Sequence, residues 1–276
     1  ALAKEGFEVT WVDPDANGVL APAAFEAALR DDTQLASIMF VNNETGVIQD
    51  IEALGAICRD RDILFHVDAA QATGKVHIDL EALPVDLMSI TAHKFYGPKG
   101  IGALYIDDRP GCHVEPLLFG GGQQRRIRPG TIPVELVAAL GMAAEIAAGR
   151  IDDDLSHLAA LHDAMWAGIS DVPGILRNGD PGGFPGILNV SAEDVEGESL
   201  LLALEPLLVA TGSACNSKSQ EPSYVLRALG RTDAQAQSAI RFSFGRPTTR
   251  DEVEFAAQRY RDAVARLRGL APEAAA

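Results

Sequence analysis

The chain has 276 residues, of which 47% are hydrophobic and 22% charged, and a formal net charge of −16. That balance belongs to a globular chain of one large or two medium domains and sets disorder aside except at the Ala-rich tail, 271–276. The acidic excess repels phosphate backbones and anionic lipid, no apolar run approaches the ~20 residues of a membrane span, and no basic, hydrophobic leader opens the chain.

In chain order, Ala-Lys-Glu-Gly (3–6) reads as a helix end and a turn, so a preceding piece is expected. Residues 7–12 have strand character, 22–30 helical spacing, and 36–41 form a short apolar run that ends at the polar cluster 42–46. A helix is predicted over 51–60 and strands over 63–67, 87–90 and 101–106. The polar clusters 42–46, 68–71 and 91–94 all follow strands. Short apolar strands alternating with helices imply an α/β unit with a largely parallel, buried sheet, and ligands in such sheets lie beyond the strands' carboxyl ends. Glycines at 120–122 and Pro-Gly-Thr (129–131) mark a long loop before a helix over 134–148. Beyond Gly149 the pattern becomes α+β, with helices at 155–169, 198–204, 224–229 and 250–270 and strands near 187–190, 207–211 and 239–244. Two domains follow: a partial large domain over 1–149 and a smaller one over 150–276. The second holds Cys215 in the small, polar loop Gly-Ser-Ala-Cys-Asn-Ser-Lys-Ser (212–219).

Several residues carry chemistry. Lys94 follows a strand, where a lysine can form a Schiff base with an aldehyde; it also reads as a solvated loop residue. Asp68 closes a buried strand. It could keep a pyridine nitrogen protonated, or cap the segment after it. His66 and Asp68 could share a metal, although no dense ligand motif accompanies them. Arg241 lies in an apolar strand and needs an anion, either a ligand carboxylate or an internal partner. The cysteines Cys58, Cys112 and Cys215 are far apart with no C-x-x-C, which argues against a disulfide framework or a zinc ribbon and fits a reducing cytoplasm.

Taken together, the segments 41–50 (Val-Asn-Asn-Glu-Thr-Gly-Val-Ile-Gln-Asp), 66–71 (His-Val-Asp-Ala-Ala-Gln) and 92–105 (Ala-His-Lys-Phe-Tyr-Gly-Pro-Lys-Gly-Ile-Gly-Ala-Leu-Tyr) resemble the cofactor-binding core of the cysteine desulfurases. The Gly-rich and Arg-Pro-Gly-Thr loop, Ser-Ala-Cys-Asn-Ser, Glu-Pro-Ser-Tyr and Ile-Arg-Phe-Ser-Phe-Gly-Arg match the same family in order. The resemblance implies a fold type I pyridoxal-phosphate enzyme of the class V aminotransferases. It implies that Lys94 binds the cofactor, Asp68 pairs with the ring nitrogen, Gln71 and Asn43 lie by the ring oxygen, and Thr91 and His93 bind the phosphate. Thr131 would reach the phosphate of a partner subunit, making a homodimer. Arg241 and Asn43 would bind L-cysteine, and Cys215 would take its sulfur as a persulfide, releasing alanine and passing the sulfur to an acceptor such as an iron–sulfur scaffold. Family members carry roughly another hundred residues ahead of this segment, with a phosphate-gripping turn and a ring-stacking histidine, so the chain is read as a fragment whose own activity depends on them. The alternatives are another lyase of the fold, acting on selenocysteine or cystine, or an inactive fragment.

Overall fold

The computed structural model describes residues 2–211 and 221–270. The chain divides into two compact units, one formed by residues 29–41 and 49–151, the other by 1–28, 42–48 and 152–276.

The first unit is built on a four-stranded sheet. Strands β1 (Leu35–Met39), β2 (Leu64–Asp68) and β3 (Leu87–Thr91) run parallel, and β4 (Gly102–Ile106) pairs antiparallel to β3, in the order β1-β2-β3-β4. The link from β3 to β4 spans only 92–101, too short for a parallel crossover, so the chain must double back. Along β2, Phe65 and Val67 are fully buried while His66 and Asp68 face the other side, half-buried, as the two-residue period dictates. Helix α2 (Ile51–Asp60) follows an Asp50 cap whose Oδ1 accepts from Ala53 N at 3.0 Å. It buries Ile51, Leu54 and Cys58 and packs on β2. Gly55 allows that approach, because a Cβ there would lie 2.6 Å from the Pro84 carbonyl oxygen. Helix α3 (Val134–Ala148) sets Ala147, Leu140 and Ala143 against Ala92 and Phe95. Asp86 is buried between the strands and the 107–112 loop. Its carboxylate accepts from Phe65 N at 2.7 Å and from the Arg109 guanidinium through Nη2 at 3.0 Å.

The second unit holds an antiparallel sheet in the order β5-β6-β8-β7, from β5 (Ile175–Asn178), β6 (Ile187–Ala192), β7 (Ala210–Thr211) and β8 (Ile240–Ser243). Every residue of β6 is buried. Helix α4 (Ile151–Ile169) contributes Leu161, Met165 and Ile169 to the core. Helix α8 (Arg250–Leu270) contributes Val253, Ala257, Tyr260 and Val264, a stripe at helical spacing. The Tyr260 ring meets Phe242 edge to face, with centroids 5.6 Å apart. Short helices α1 (Pro22–Ala28), α5 (Gly197–Ala203), α6 (Tyr224–Ala228) and α7 (Asp233–Gln237) complete the unit.

The expected strand over 7–12 is absent. Phe7, Val9 and Trp11 are exposed, Trp11 at 88%, and no strand of the described residues pairs with the segment. Alternating apolar residues make a strand only where a neighbour supplies donors and acceptors. Among the described residues no helix is long and apolar enough to cross a membrane.

Candidate active site

The carboxyl ends of the parallel strands gather the first group of side chains. Asp68 closes β2, directly paired with Ser89 of β3. Its Oδ1 accepts from Ala70 N at 2.9 Å, and among the described residues no donor claims its other oxygen. The following turn buries Gln71, whose Oε1 accepts from Lys75 Nζ at 2.7 Å. That leaves the Gln71 amide nitrogen, rather than its oxygen, to meet a ligand. Beneath Asp68, His66 spans two hydroxyls, with Nδ1 2.8 Å from Ser37 Oγ and Nε2 2.8 Å from Ser89 Oγ. Burial holds the ring below the usual imidazole range, against the pull of Asp68. A neutral imidazole donating from one nitrogen and accepting at the other satisfies both bonds, so neither nitrogen is left to ligate a metal.

Thr91 closes β3, and its Oγ1 lies 2.9 Å from His93 Nδ1. The chain then forms a single 3-10 turn, Ala92–Lys94, with Phe95 and Gly97 both donating to the Ala92 carbonyl at 3.1 and 2.9 Å. Gly97 makes the turn possible, since a Cβ there would sit 2.8 Å from Ala92 Cβ and 2.9 Å from its oxygen. Tyr96 takes a φ of 68°, a left-handed conformation that costs a non-glycine residue about 1–2 kcal/mol. Buried Phe95 anchors the turn against α3, and Lys94 stands half-buried at its end. Among the described residues no carboxylate or hydroxyl engages its ammonium. Thr131 lies in an exposed loop held by Arg128, whose Nη1 donates to the carbonyls of Pro129 and Gly130 at 3.3 Å, and by Gln123, which accepts from Gly130 N at 3.0 Å.

The other unit gathers Asn43 and Arg241. Arg241 sits mid-strand in β8, facing Asn189 of β6 and Ala210 of β7. Its Nη1 donates to the Asn43 carbonyl at 2.7 Å, while its buried Nε has no partner among the described residues. Asn42 Oδ1 accepts from the backbone nitrogens of Glu44 and Thr45 at 2.8 and 3.0 Å and so folds the turn that presents Asn43. Glu44 is 8% exposed and accepts from the Ser223 hydroxyl at 2.6 Å. Burial pushes its carboxyl above the usual range, while the Ser223 bond and the Arg241 charge pull it down. Cys215 lies outside the described residues.

The aminotransferase class-V family profile matches residues 1–255. The cysteine desulfurase IscS of Serratia proteamaculans is 52% identical over 272 residues, covering 98% of this chain and 67% of its own length. The chain belongs to the cysteine desulfurases of the class V aminotransferase family. A solved NifS-like protein superposes on this desulfurase chain with a TM-score of 0.87 at 34% identity, over 96% of this chain and 70% of that one. A structure of SspA in complex with cysteine superposes with a TM-score of 0.76 at 35% identity, over 88% and 68%. Enzymes of this family use pyridoxal phosphate.

The desulfurase chain's own residues fit that cofactor. A half-buried lysine with no side-chain partner among the described residues suits an aldehyde, and Asp68 keeps one oxygen for a ring nitrogen. Thr91 and His93 follow the same strand end and can meet a phosphate. The half-satisfied fork of Arg241 suits a carboxylate. Two contributors escaped sequence reasoning. Glu44 lies within a quoted motif without a role, and its partner Ser223 shows in sequence only as a helix-capping serine before Tyr224.

Proposed function

We propose that this desulfurase chain removes sulfur from L-cysteine to leave L-alanine, with Cys215 as the sulfur acceptor. The observation that carries the reading is Lys94, half-buried and unclaimed by the described residues at the end of a built turn, one strand away from the carboxylate of Asp68.

Pyridoxal phosphate, when bound, supplies an electron sink for the pair left when the substrate's Cα proton departs. Lys94 holds the cofactor and then moves that proton. Asp68 hydrogen-bonds the ring nitrogen and keeps it protonated, the Gln71 amide and Asn43 meet the ring oxygen, and Thr91 and His93 hold the phosphate. Arg241 fixes the substrate carboxylate. The Cys215 thiolate attacks the substrate sulfur. A sulfur–sulfur bond forms, the carbon–sulfur bond breaks with its pair left on carbon, and protonation there gives alanine. The enzyme thiol has become a persulfide, so cysteine and thiol are balanced by alanine and persulfide. The persulfide sulfur then passes to an acceptor protein, an iron–sulfur scaffold being one such, in the cytoplasm.

A homodimer completes the proposal, with Thr131 reaching the phosphate held by the other subunit. It is supported by the exposed apolar residues Leu117, Leu118 and Phe119 of the loop before α3 and Val137 and Met142 on α3, more large apolar side chains than a unit ordinarily leaves to water.

The test is to add pyridoxal phosphate, scan for the yellow absorbance of the lysine-bound cofactor, and assay sulfide from cysteine. Lys94→Ala should lose both signals; Cys215→Ala should keep the colour and lose the sulfide. A protein that stays colourless even with the expected preceding residues restored, or sulfide release intact in Cys215→Ala, sinks the reading. Sedimentation should show a dimer, with Met142→Glu shifting it toward monomer.

A further inference from the structure

Glu44 has no part in the roles above, yet it is the one buried carboxylate among the described residues of its unit. It is held from three sides. Asn42 Oδ1 accepts from its backbone nitrogen at 2.8 Å, Asn189 Nδ2 donates to its carbonyl at 3.1 Å, and the Ser223 hydroxyl donates to its carboxylate at 2.6 Å. Asn189 is locked in turn: its Oδ1 accepts from Asn178 Nδ2 at 2.8 Å, and Asn178 Oδ1 accepts from Arg231 Nε at 2.6 Å. The neighbouring residue, Asn43, gives its carbonyl to Arg241. A fixed anion therefore stands one residue from the anchor of the guanidinium. The charge of Arg241 reaches it, although the two form no ion pair among the described residues.

We propose that Glu44 is a positioning residue that weakens the hold of Arg241 on the substrate carboxylate: a buried anion, tethered by Ser223, that offsets part of the guanidinium's charge. The inference rests on Arg241 as the carboxylate clamp. Its use is in turnover. Alanine carries the same carboxylate as cysteine, so a clamp at full strength would hold product as firmly as substrate. Glu44 acts through space on Arg241 and touches no reacting atom.

The test uses the pyridoxal-phosphate-loaded protein with two probes, L-alanine and ethylamine, which differ by the carboxylate alone. Glu44→Gln keeps an oxygen to accept from Ser223 and removes the charge. It should tighten alanine binding and lower the KM for cysteine by about three- to tenfold, far less than a contacting ion pair would give, because Glu44 and Arg241 form none among the described residues, without raising kcat and without changing ethylamine binding. Ser223→Ala removes the donor that stabilises the anion and should shift alanine binding the same way by less. It carries the test if Glu44→Gln does not fold. Alanine binding that is unchanged or weaker in the folded variants overturns the proposal, as does an equal shift for both probes. Arg241→Ala separates the two readings. If it leaves alanine binding intact, the clamp itself is wrong; if it abolishes binding while Glu44→Gln does nothing, only the role of Glu44 fails.

Discussion

The Arg109 guanidinium grips both oxygens of the Asp86 carboxylate, a group only 1% exposed to solvent. Arg59 adds a more distant contact at 3.6 Å. Removing one member of a buried pair leaves the other charge uncompensated, at a cost of about 3–5 kcal/mol. Arg109→Ala should therefore lower stability by about 3 kcal/mol, since Arg59 and the Phe65 N–H remain, with little effect in Asp86→Asn/Arg109→Met beyond either single change. Urea unfolding of the single and double variants measures both.

Acid should unfold the parallel-sheet unit through the same carboxylate. Burial pushes the Asp86 carboxyl up, but the Arg109 and Phe65 hydrogen bonds and the Arg109 and Arg59 charges together hold it below the usual range. A folded pKa below the unfolded one gives stability that is complete above the unfolded value and lost as pH falls through the folded one. The melting temperature should drop below about pH 4, and the drop should shrink in Asp86→Asn.

Thiol chemistry should single out one cysteine. Cys58 is fully buried, and burial with the Asp86 charge pushes its thiol up to about 12. Cys112 is also buried and its thiol is raised, first by burial and then by Asp86. The thiolate is the reactive form. Iodoacetamide at pH 8 should label one thiol per native chain, no thiol in Cys215→Ala, and all three after denaturation.

Lys94→Ala should lower kcat at least about 100-fold, the lower bound for losing a positioned proton carrier. Lys94→Arg should fall as far, because a guanidinium neither forms the cofactor bond nor gives up a proton near neutral pH. A variant within tenfold of the parent in single-turnover assays would remove Lys94 from the mechanism.

What could be read in advance follows the range of the interactions. Helices α2, α3 and α8 agree with their sequence-based bounds, because each carries a sustained apolar pattern or a cap at its start. Asp68 stands out because it closes a strand, and Lys94 because it follows one closely, each within a polar cluster. Strand β5, Ile-Leu-Arg-Asn, has two apolar residues and no local signal, and only its pairing with β6 makes it a strand. Helix α7 did leave a mark in Thr232-Asp-Ala-Gln235, a capping box that the structure forms in full. The bond between Glu44 and Ser223 spans 179 residues, and no window of sequence contains it. Gln71 shows the same limit, since the lysine that occupies its oxygen is near in sequence but has no pattern to announce it.

The turn at 42–48 belongs to one unit although the chain on either side of it builds the other. Its carbonyl at Asn43 is met by an arginine 198 residues later. At a synthesis rate of about 5–20 residues per second, that turn waits on the order of 10–40 s for its partner. The α4–α8 unit is therefore the last to close on the ribosome, and until β8 emerges the Asn43 carbonyl has only water to meet it.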